Sequence, residues 1–184
     1  MRVVHLVRHT AVAAHWAGRC YGASDVGLSR DGRGAARTLA AELARLAALT
    51  LYVSPLRRAR FLGALVARET PVGTFVVEPR LAECNFGGWE GLTWDQIYAA
   101  SGDAMMGLVR APASFRPGGT GETTFEMRDR AMAWLEDVRI GPSPALAICH
   151  GGPIAAIRGS LSASPVADWP GLVPRYGEVV TVEL

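Results

Sequence analysis

The chain contains no lysine, and all 19 of its basic residues are arginine. This absence excludes a Schiff-base lysine and also the phosphate-binding P-loop, whose motif requires a lysine. Arginine, in contrast, suits bidentate binding of phosphate or carboxylate groups. The net charge is only +2, and no arginine-rich run alternates with aromatic residues. We therefore expect no nucleic-acid partner.

Long apolar runs and paired cysteines are also missing. No run reaches 18 apolar residues, and the chain enters a strand pattern directly, so the sequence predicts neither a membrane span nor a secretory signal. We accordingly expect a cytoplasmic protein without a membrane partner. The three cysteines, Cys20, Cys84 and Cys149, are scattered and form no CxxC pair. This pattern predicts reduced thiols and no structural zinc site.

The residues that are present indicate one globular α/β domain spanning residues 1–184. The chain is 49% hydrophobic, which supports one sizeable core. Strand patterns alternate with helix patterns, which predicts a largely parallel sheet covered by helices on both faces. We predict strands at 3–10, 50–53, 73–77, 145–149 and 178–184, and helices at 29–48, 54–69, 93–100, from 123 and from 151.

The first strand ends in Arg8 and His9. A cation beside an imidazole at the end of a buried strand is costly unless an anion binds there, and strand ends are where ligands bind in α/β proteins. This pattern favours an anion site with His9 as the reactive group. The alternative is an exposed arginine beside a histidine whose polar atoms are satisfied by the protein.

A second cation is predicted to point inward from the helix at 54–69. Ser54 is predicted as its N-cap, and Pro55 as its first helical residue. At 100° per residue, Arg58 falls on the apolar side of this helix, whereas Arg57 and its other arginines fall on the opposite side. A first-turn arginine aimed at the edge of the sheet requires an anion.

A third strand end supplies His150, followed by Gly151, Gly152 and a helix. A glycine turn that opens a helix presents free backbone N–H groups, which suit phosphate. Glu83 follows another strand and is expected to join this group. Two imidazoles, two guanidiniums and a carboxylate, with no serine, cysteine or metal motif, indicate phosphoryl transfer through a histidine nucleophile.

The sequence resembles the histidine phosphatases, the superfamily that includes cofactor-dependent phosphoglycerate mutase. The matching segments occur in the expected order and span nearly the whole chain: Arg8-His9, Ser54 to Ala59, Glu83 with Phe86 to Gly91, Gly121 to Thr123, and His150 to Gly152. The resemblance implies a three-layer α/β/α sandwich with a mostly parallel sheet and an antiparallel edge strand. Thr10 and the segment 20–25 most resemble bacterial α-ribazole phosphatase-type members.

The resemblance also implies the roles of the site residues. His9 would be the nucleophile that forms a phosphohistidine, and His150 would bind phosphoryl oxygens with Arg8 and Arg58. Glu83 would protonate the leaving alkoxide and later activate water. Neighbouring cations keep His9 neutral and nucleophilic. No metal or other cofactor is implied. The candidate substrate contacts are Thr10, His15, Tyr21, Gly22 and Gly151.

Some positions depart from the family pattern or leave alternatives open. The family usually has glycine after Arg-His, a serine or threonine two residues later and then an asparagine, where this chain has Thr10, Val12 and His15. His15 is a candidate replacement for one lost phosphate contact. Glu90, in the same loop region as Glu83, is the alternative carboxylate. Bulky residues at 89, 94, 105, 106 and 115 either line the leaving-group side or pack in the core.

The leading interpretation is a metal-independent phosphomonoesterase acting on α-ribazole 5′-phosphate or another small phosphorylated metabolite. A phosphoglycerate mutase is the nearest rival, although residues 92–121 supply only Arg110 and Arg116 for a substrate carboxylate. Two further rivals are a phosphate-binding module with little turnover and a zinc hydrolase using His9, His150 and Glu83. We expect specificity to lie in residues 84–121. The sequence leaves the oligomeric state open, with a homodimer as one option.

Overall fold

The structure, a computed structural model, describes residues 2–184. The strands are β1 (Val3–Arg8), β2 (Thr50–Val53), β3 (Val76–Val77), β4 (Ala145–Cys149) and β5 (Val179–Glu183). The helices are α1 (Arg30–Ala44), α2 (Arg57–Glu69), α3 (Trp94–Ser101), α4 (Gly107–Arg110), α5 (Thr124–Ile140) and α6 (Gly151–Leu161), and short 3₁₀ segments occur between them.

The strands form one sheet in the order β3-β2-β4-β1-β5. The pairs β1–β4, β4–β2 and β2–β3 are parallel, whereas β5 runs antiparallel to β1 at the edge. Helices cover both faces. This arrangement confirms the predicted three-layer α/β/α fold with its antiparallel edge strand.

Two apolar cores lie between the sheet and its helices, one on each face, because successive strand side chains point to opposite faces. On one face, α1 and α2 pack Leu43 and Leu62 against Val7 of β1. On the other face, α5 and α6 pack Trp134 and Ile154 against the remaining side of the sheet. Helices thus pack on both faces of the sheet, and this packing holds the ends of the central strands in place.

Most helices start at or next to the predicted residue. Ser29 caps α1, and complete capping boxes at Thr93 and Thr123 start α3 and α5. The exception is α2, which begins at Arg57 after Leu56 rather than at Pro55. The predicted N-cap role of Ser54 is wrong: its backbone N–H donates to Ile148 O at 2.9 Å and so continues the sheet.

Two other segments differ from the predictions. The third strand contains only Val76 and Val77 instead of the range 73–77. Residues 101–121, for which the sequence predicts no helix, contain α4 and two 3₁₀ segments. Within residues 2–184, no helix is both long and apolar enough to cross a membrane.

The register of the sheet places three strand ends side by side. Arg8 pairs with Cys149 between β1 and β4, and Val53 pairs with Ile148 between β2 and β4. The next residues along these strands are His9, His150 and Ser54. Because parallel strands end at the same edge, the two histidines and the serine meet there.

Candidate active site

His9 lies directly after β1, with only 1% of its surface exposed. Its Nδ1 lies 2.7 Å from the carbonyl oxygen of Thr10, so the ring donates its proton there and Nε2 carries the lone pair. Burial, together with the charges of Arg58 and Arg8, lowers the pKa of His9 to about 3 even though the Thr10 hydrogen bond opposes this shift. His9 is therefore a neutral imidazole whose unprotonated nitrogen is Nε2.

Arg58 is fully buried in the first turn of α2 and holds Nε2 of His9. Its Nε donates to that atom at 3.3 Å. Its two terminal nitrogens donate to the carbonyls of Ser24 at 2.7 Å and Gly22 at 2.6 Å. The ring of Tyr21 lies 5.2 Å from its guanidinium carbon. The predicted inward orientation of Arg58 is confirmed.

Glu90 fixes the loop that carries these two carbonyls. Its Oε1 accepts from the backbone N–H groups of Ala23 at 2.8 Å and Phe86 at 3.0 Å. Its Oε2 accepts from the backbone N–H of Ser24 at 2.8 Å and also from the Ser24 hydroxyl. Both oxygens are thus used inside the protein. Glu90 is a support for the Arg58 loop rather than a substitute for Glu83.

His150 faces His9 at the end of β4, with ring centroids 5.1 Å apart. Its Nε2 lies 2.6 Å from Ser54 Oγ, which also accepts from the backbone N–H of Leu56 at 3.3 Å. The Ser54 hydroxyl is therefore free to donate to Nε2, which leaves the ring proton on Nδ1. Nδ1 is buried and has no partner among residues 2–184. Burial, His9 and Arg58 hold the pKa of His150 well below its usual value.

Glu83 lies at the N-terminus of α6. The backbone N–H of Gly152 lies 3.2 and 3.3 Å from its two carboxylate oxygens, and the N–H of Cys84 donates to Oε1 at 2.9 Å. Backbone donors at a helix N-terminus suit a carboxylate. Contrary to the expectation of a strand end, Glu83 follows a 3₁₀ turn, Pro79–Leu81.

Arg8 and a tyrosine pair form another wall of the site. Arg8 donates from Nη1 to Pro174 O at 2.7 Å, and its guanidinium carbon lies 4.2 Å from the ring centre of Tyr176. Tyr176 lies 5.5 Å from the His9 ring, and its hydroxyl is 2.7 Å from the hydroxyl of Tyr21. Among residues 2–184, the buried Nε of Arg8 has no partner.

These elements enclose a cleft of about 370 Å³, which we call the His9 cleft. Its lining includes Arg8, Tyr21, Gly22, Glu83, Gly151 and Tyr176. Its position beside the half-buried Arg8 and the N-terminus of a helix suits an anionic ligand. Two of the predicted catalytic residues, Arg8 and Glu83, line it together with the predicted substrate contacts Tyr21, Gly22 and Gly151. The other three, His9, Arg58 and His150, lie next to these residues: His9 contacts Tyr176 and His150, and Arg58 donates to Gly22 O.

Two predicted substrate contacts lie elsewhere. The hydroxyl of Thr10 donates to Gly32 O in α1 at 2.8 Å, so this side chain holds the helix, and only its carbonyl serves His9. Thr10 also has no positive φ, so the strand end needs no glycine. His15 is exposed in a 3₁₀ turn and lines a separate surface cleft with Arg33 and Arg57. The predicted phosphate contact from His15 is therefore corrected.

Three residues of this site are not predicted from the sequence in the roles that they have. The sequence predicts Ser54 as a helix cap, although its position directly after a strand is a usable signal. It offers Glu90 only as an alternative acid. Tyr176 lies in a loop without periodicity and gave no signal. Within residues 2–184, no three His, Cys, Asp or Glu residues are grouped as a metal site would require.

Comparisons with known proteins agree with this geometry. A family model described as "Histidine phosphatase superfamily (branch 1)" matches residues 4–184. Glucosyl-3-phosphoglycerate phosphatase from Mycolicibacterium vanbaalenii is 33% identical over 184 residues, covering 94% of this chain and 80% of that protein. A metal-independent phosphoserine phosphatase from Arabidopsis thaliana is 26% identical over 155 residues, covering 83% of this chain and 65% of that protein.

A solved structure extends the likeness to the fold. The mycobacterial glucosyl-3-phosphoglycerate phosphatase in complex with VO3 superimposes with a TM-score of 0.86 at 30% identity. The match covers all of this chain and 93% of that one.

Proposed function

This chain belongs to the histidine phosphatase superfamily and is a phosphatase, and we propose that it hydrolyses small phosphomonoesters without a metal through a phosphohistidine on His9. The observation that carries the proposal is the state of His9. Its ring is neutral, its Nδ1–H donates to Thr10 O, and its unprotonated Nε2 accepts a hydrogen bond from Arg58. An unprotonated imidazole nitrogen is a competent nucleophile once the Arg58 N–H turns from Nε2 to a phosphoryl oxygen of the substrate.

In the proposed first step, Nε2 of His9 attacks phosphorus and the bond from phosphorus to the ester oxygen breaks. The carboxyl group of Glu83 gives its proton to the leaving oxygen, which departs as an alcohol. In the second step, a water oxygen attacks the phosphohistidine while Glu83 takes the proton of that water. The N–P bond breaks, which releases phosphate and restores His9.

The remaining donors support this chemistry. The Nε of Arg8 and the Nδ1 of His150 are buried N–H groups without partners among residues 2–184. An unsatisfied buried donor is costly, and a phosphoryl oxygen is an acceptor that would satisfy it. We therefore assign Arg8, Arg58 and His150 to phosphoryl binding, where they would stabilise the transition-state charge.

The rivals rank below this function. The relatives named above are phosphatases, which favours hydrolysis over mutase-type transfer. The name of the plant relative includes "metal-independent", which favours histidine chemistry over a zinc hydrolase. The third rival, a phosphate-binding module with little turnover, is tested by an activity assay.

The relatives do not support the specific substrate that the resemblance implies. The named relatives act, by their names, on glucosyl-3-phosphoglycerate and phosphoserine. The resemblance to α-ribazole phosphatases gains no support from them, and neither does a place in cobalamin biosynthesis. α-Ribazole 5′-phosphate therefore enters the assay as one test compound among several.

The test is phosphate release from p-nitrophenyl phosphate and from a panel of phosphomonoesters, with and without EDTA. The wild type is expected to be active in EDTA, and His9→Ala to lose at least about 10³-fold of this activity, since removing a nucleophile costs up to about 10⁶-fold in kcat. His5→Ala is the matched control because His5 lies on the same strand and only bonds Thr181 at the sheet edge.

Full activity of His9→Ala would refute a phosphohistidine intermediate on His9. Binding of phosphate without turnover by the wild type would favour the binding module. Activity that EDTA abolishes and zinc restores would favour the zinc hydrolase. A single domain over residues 1–184 is likewise our proposal, supported by the family match to residues 4–184. A cytoplasmic location and a homodimer stay untested expectations from the sequence.

A further inference from the structure

A second cavity of about 330 Å³ opens beside the His9 cleft, and we call it the apolar pocket. Its main side chains are Phe86, Trp94, Leu108, Val109, Met127 and Trp169. Among the residues that the structure describes, no charged side chain lines it. Its threonine hydroxyl, at Thr124, is already used because it donates to Leu108 O at 2.7 Å.

The two cavities are neighbours. Phe86, Trp94, Gly152 and Val173 line both of them. Gly152 also donates its backbone N–H to the carboxyl group of Glu83, which in its protonated form would protonate the leaving oxygen. An organic substituent on an ester oxygen at Glu83 would therefore lie close to the wall that the apolar pocket shares with the His9 cleft.

We propose that the apolar pocket binds the leaving group, and that this phosphatase prefers phosphomonoesters of apolar alkyl or aryl alcohols. This inference rests on the proposed function. A cavity of this size with an almost wholly apolar lining is typical of sites for small apolar ligands. The preferred substrate class thus differs from the polar compounds that the relatives are named for.

On the side of Glu83 away from the apolar pocket, the two arginines Arg116 and Arg130 are already paired and offer no free cation to a substrate carboxylate. Arg116 donates to both oxygens of Glu126, at 3.0 and 2.5 Å. Arg130 donates to both oxygens of Glu122, at 2.6 and 2.9 Å, and also to three backbone carbonyls. Both guanidiniums are neutralised within the protein, which disfavours recognition of a phosphorylated acid on this side.

A homologous series of n-alkyl phosphates isolates the effect of the pocket because the chemistry of their leaving oxygens is nearly constant. From ethyl to hexyl phosphate we expect kcat/KM to rise about fourfold per methylene, the factor for burying one methylene group. Phosphoserine and 3-phosphoglycerate are expected to fall below butyl phosphate. Phosphate release measures every member of the panel in the same way.

Variants locate the effect. Val109→Asp places a charge in the pocket and is expected to reduce the hexyl-to-ethyl ratio of kcat/KM at least tenfold. Val109→Thr keeps the shape, folds more safely and is expected to reduce the ratio by a smaller factor. Ile140→Asp is the matched control, since Ile140 is 84% exposed outside the pocket, and it is expected to keep the wild-type ratio.

The outcomes separate this inference from the proposed function. A flat alkyl series, or phosphoserine turned over faster than hexyl phosphate, overturns the apolar pocket as a subsite while leaving the phosphatase intact. Selective loss of phosphoserine turnover in Arg19→Gln, at the rim of the His9 cleft, also overturns it by revealing a carboxylate site. No turnover of any ester overturns the function itself.

Discussion

The Nε of Arg58 donates to Nε2 of His9 across 3.3 Å, and the two residues are 49 positions apart in the chain. The same guanidinium donates to the Ser24 and Gly22 carbonyls. The loop at residues 22–24 therefore positions His9, the proposed nucleophile, indirectly through the Arg58 side chain. The contact between His9 and Arg58 and the contacts between Arg58 and the loop can each be tested.

The first prediction concerns the shape of the Arg58 side chain. Arg58→Lys keeps the positive charge but cannot donate to three acceptors in a planar fork. We expect kcat for p-nitrophenyl phosphate to fall about 10²- to 10³-fold, the usual cost of losing one transition-state donor. Arg57→Lys, at the exposed neighbouring position, is expected to stay within about twofold of the wild type. Near-normal kcat for Arg58→Lys would contradict the assigned role.

Glu90 is predicted to act through Arg58. Glu90→Gln replaces one carboxylate oxygen, a hydrogen-bond acceptor, with an NH₂ group that faces the backbone N–H groups of Ala23 and Ser24. The unpaired donors should lower the free energy of unfolding by about 1 to 3 kcal/mol. We also expect kcat to fall about tenfold at temperatures where the variant is fully folded. The exposed Glu42→Gln serves as the control.

A double-mutant cycle distinguishes positioning from general loosening. If Glu90 acts through Arg58, adding Glu90→Gln to Arg58→Lys should cost little further kcat, because coupled residues are not additive. Independent, additive losses in kcat would show that Glu90 supports the fold alone.

Gly22 is predicted to require the absence of a side chain. A Cβ at Gly22 would collide with the carbonyl oxygen of Cys84 and with the Phe86 ring. Gly18 also has a positive φ, of 71°, but open space around it. Gly18→Ala should therefore cost about 1 kcal/mol of backbone strain, and Gly22→Ala about 1 to 3 kcal/mol more. Urea unfolding measures both, and equal losses would refute the predicted collision.

The low pKa of His9 predicts a dependence of stability on pH. Between pH 6.5 and about 3 the unfolded chain protonates His9 and the folded chain does not. Lowering the pH therefore favours unfolding, with a slope of up to about 1.4 kcal/mol per pH unit from this group. The stabilisation is fully present above pH 6.5 and is lost towards pH 3.

Urea unfolding of the wild type and of His9→Asn at pH 7, 6, 5 and 4 measures this effect. The difference in unfolding free energy between the two proteins should change steadily below pH 6.5, because the carboxylates titrate equally in both. Parallel curves would show that His9 titrates normally in the folded protein.

Local patterns were sufficient where the deciding interactions are local. α5 starts next to the predicted residue 123 because the capping box of Thr123 and Glu126 is local: its two hydrogen bonds join residues three apart. The helical phase that turned Arg58 inward depends only on 3.6 residues per turn. Conversely, Ser54 looked like a helix cap because its true partner, His150, is 96 residues away.

The sequence by itself determined the alternation of strands and helices, and therefore that His9 and His150 follow parallel strands at one edge of the sheet. It did not determine which atoms face each other there. Tertiary structure decided that His9 Nδ1–H donates to Thr10 O, that Glu90 binds the Ala23–Ser24 backbone while Glu83 lines the cleft, and that the ring of Tyr176 packs against the Arg8 guanidinium. The physical reason is that periodicity records short-range geometry, whereas hydrogen-bond partners at a site are chosen by the packing of distant segments.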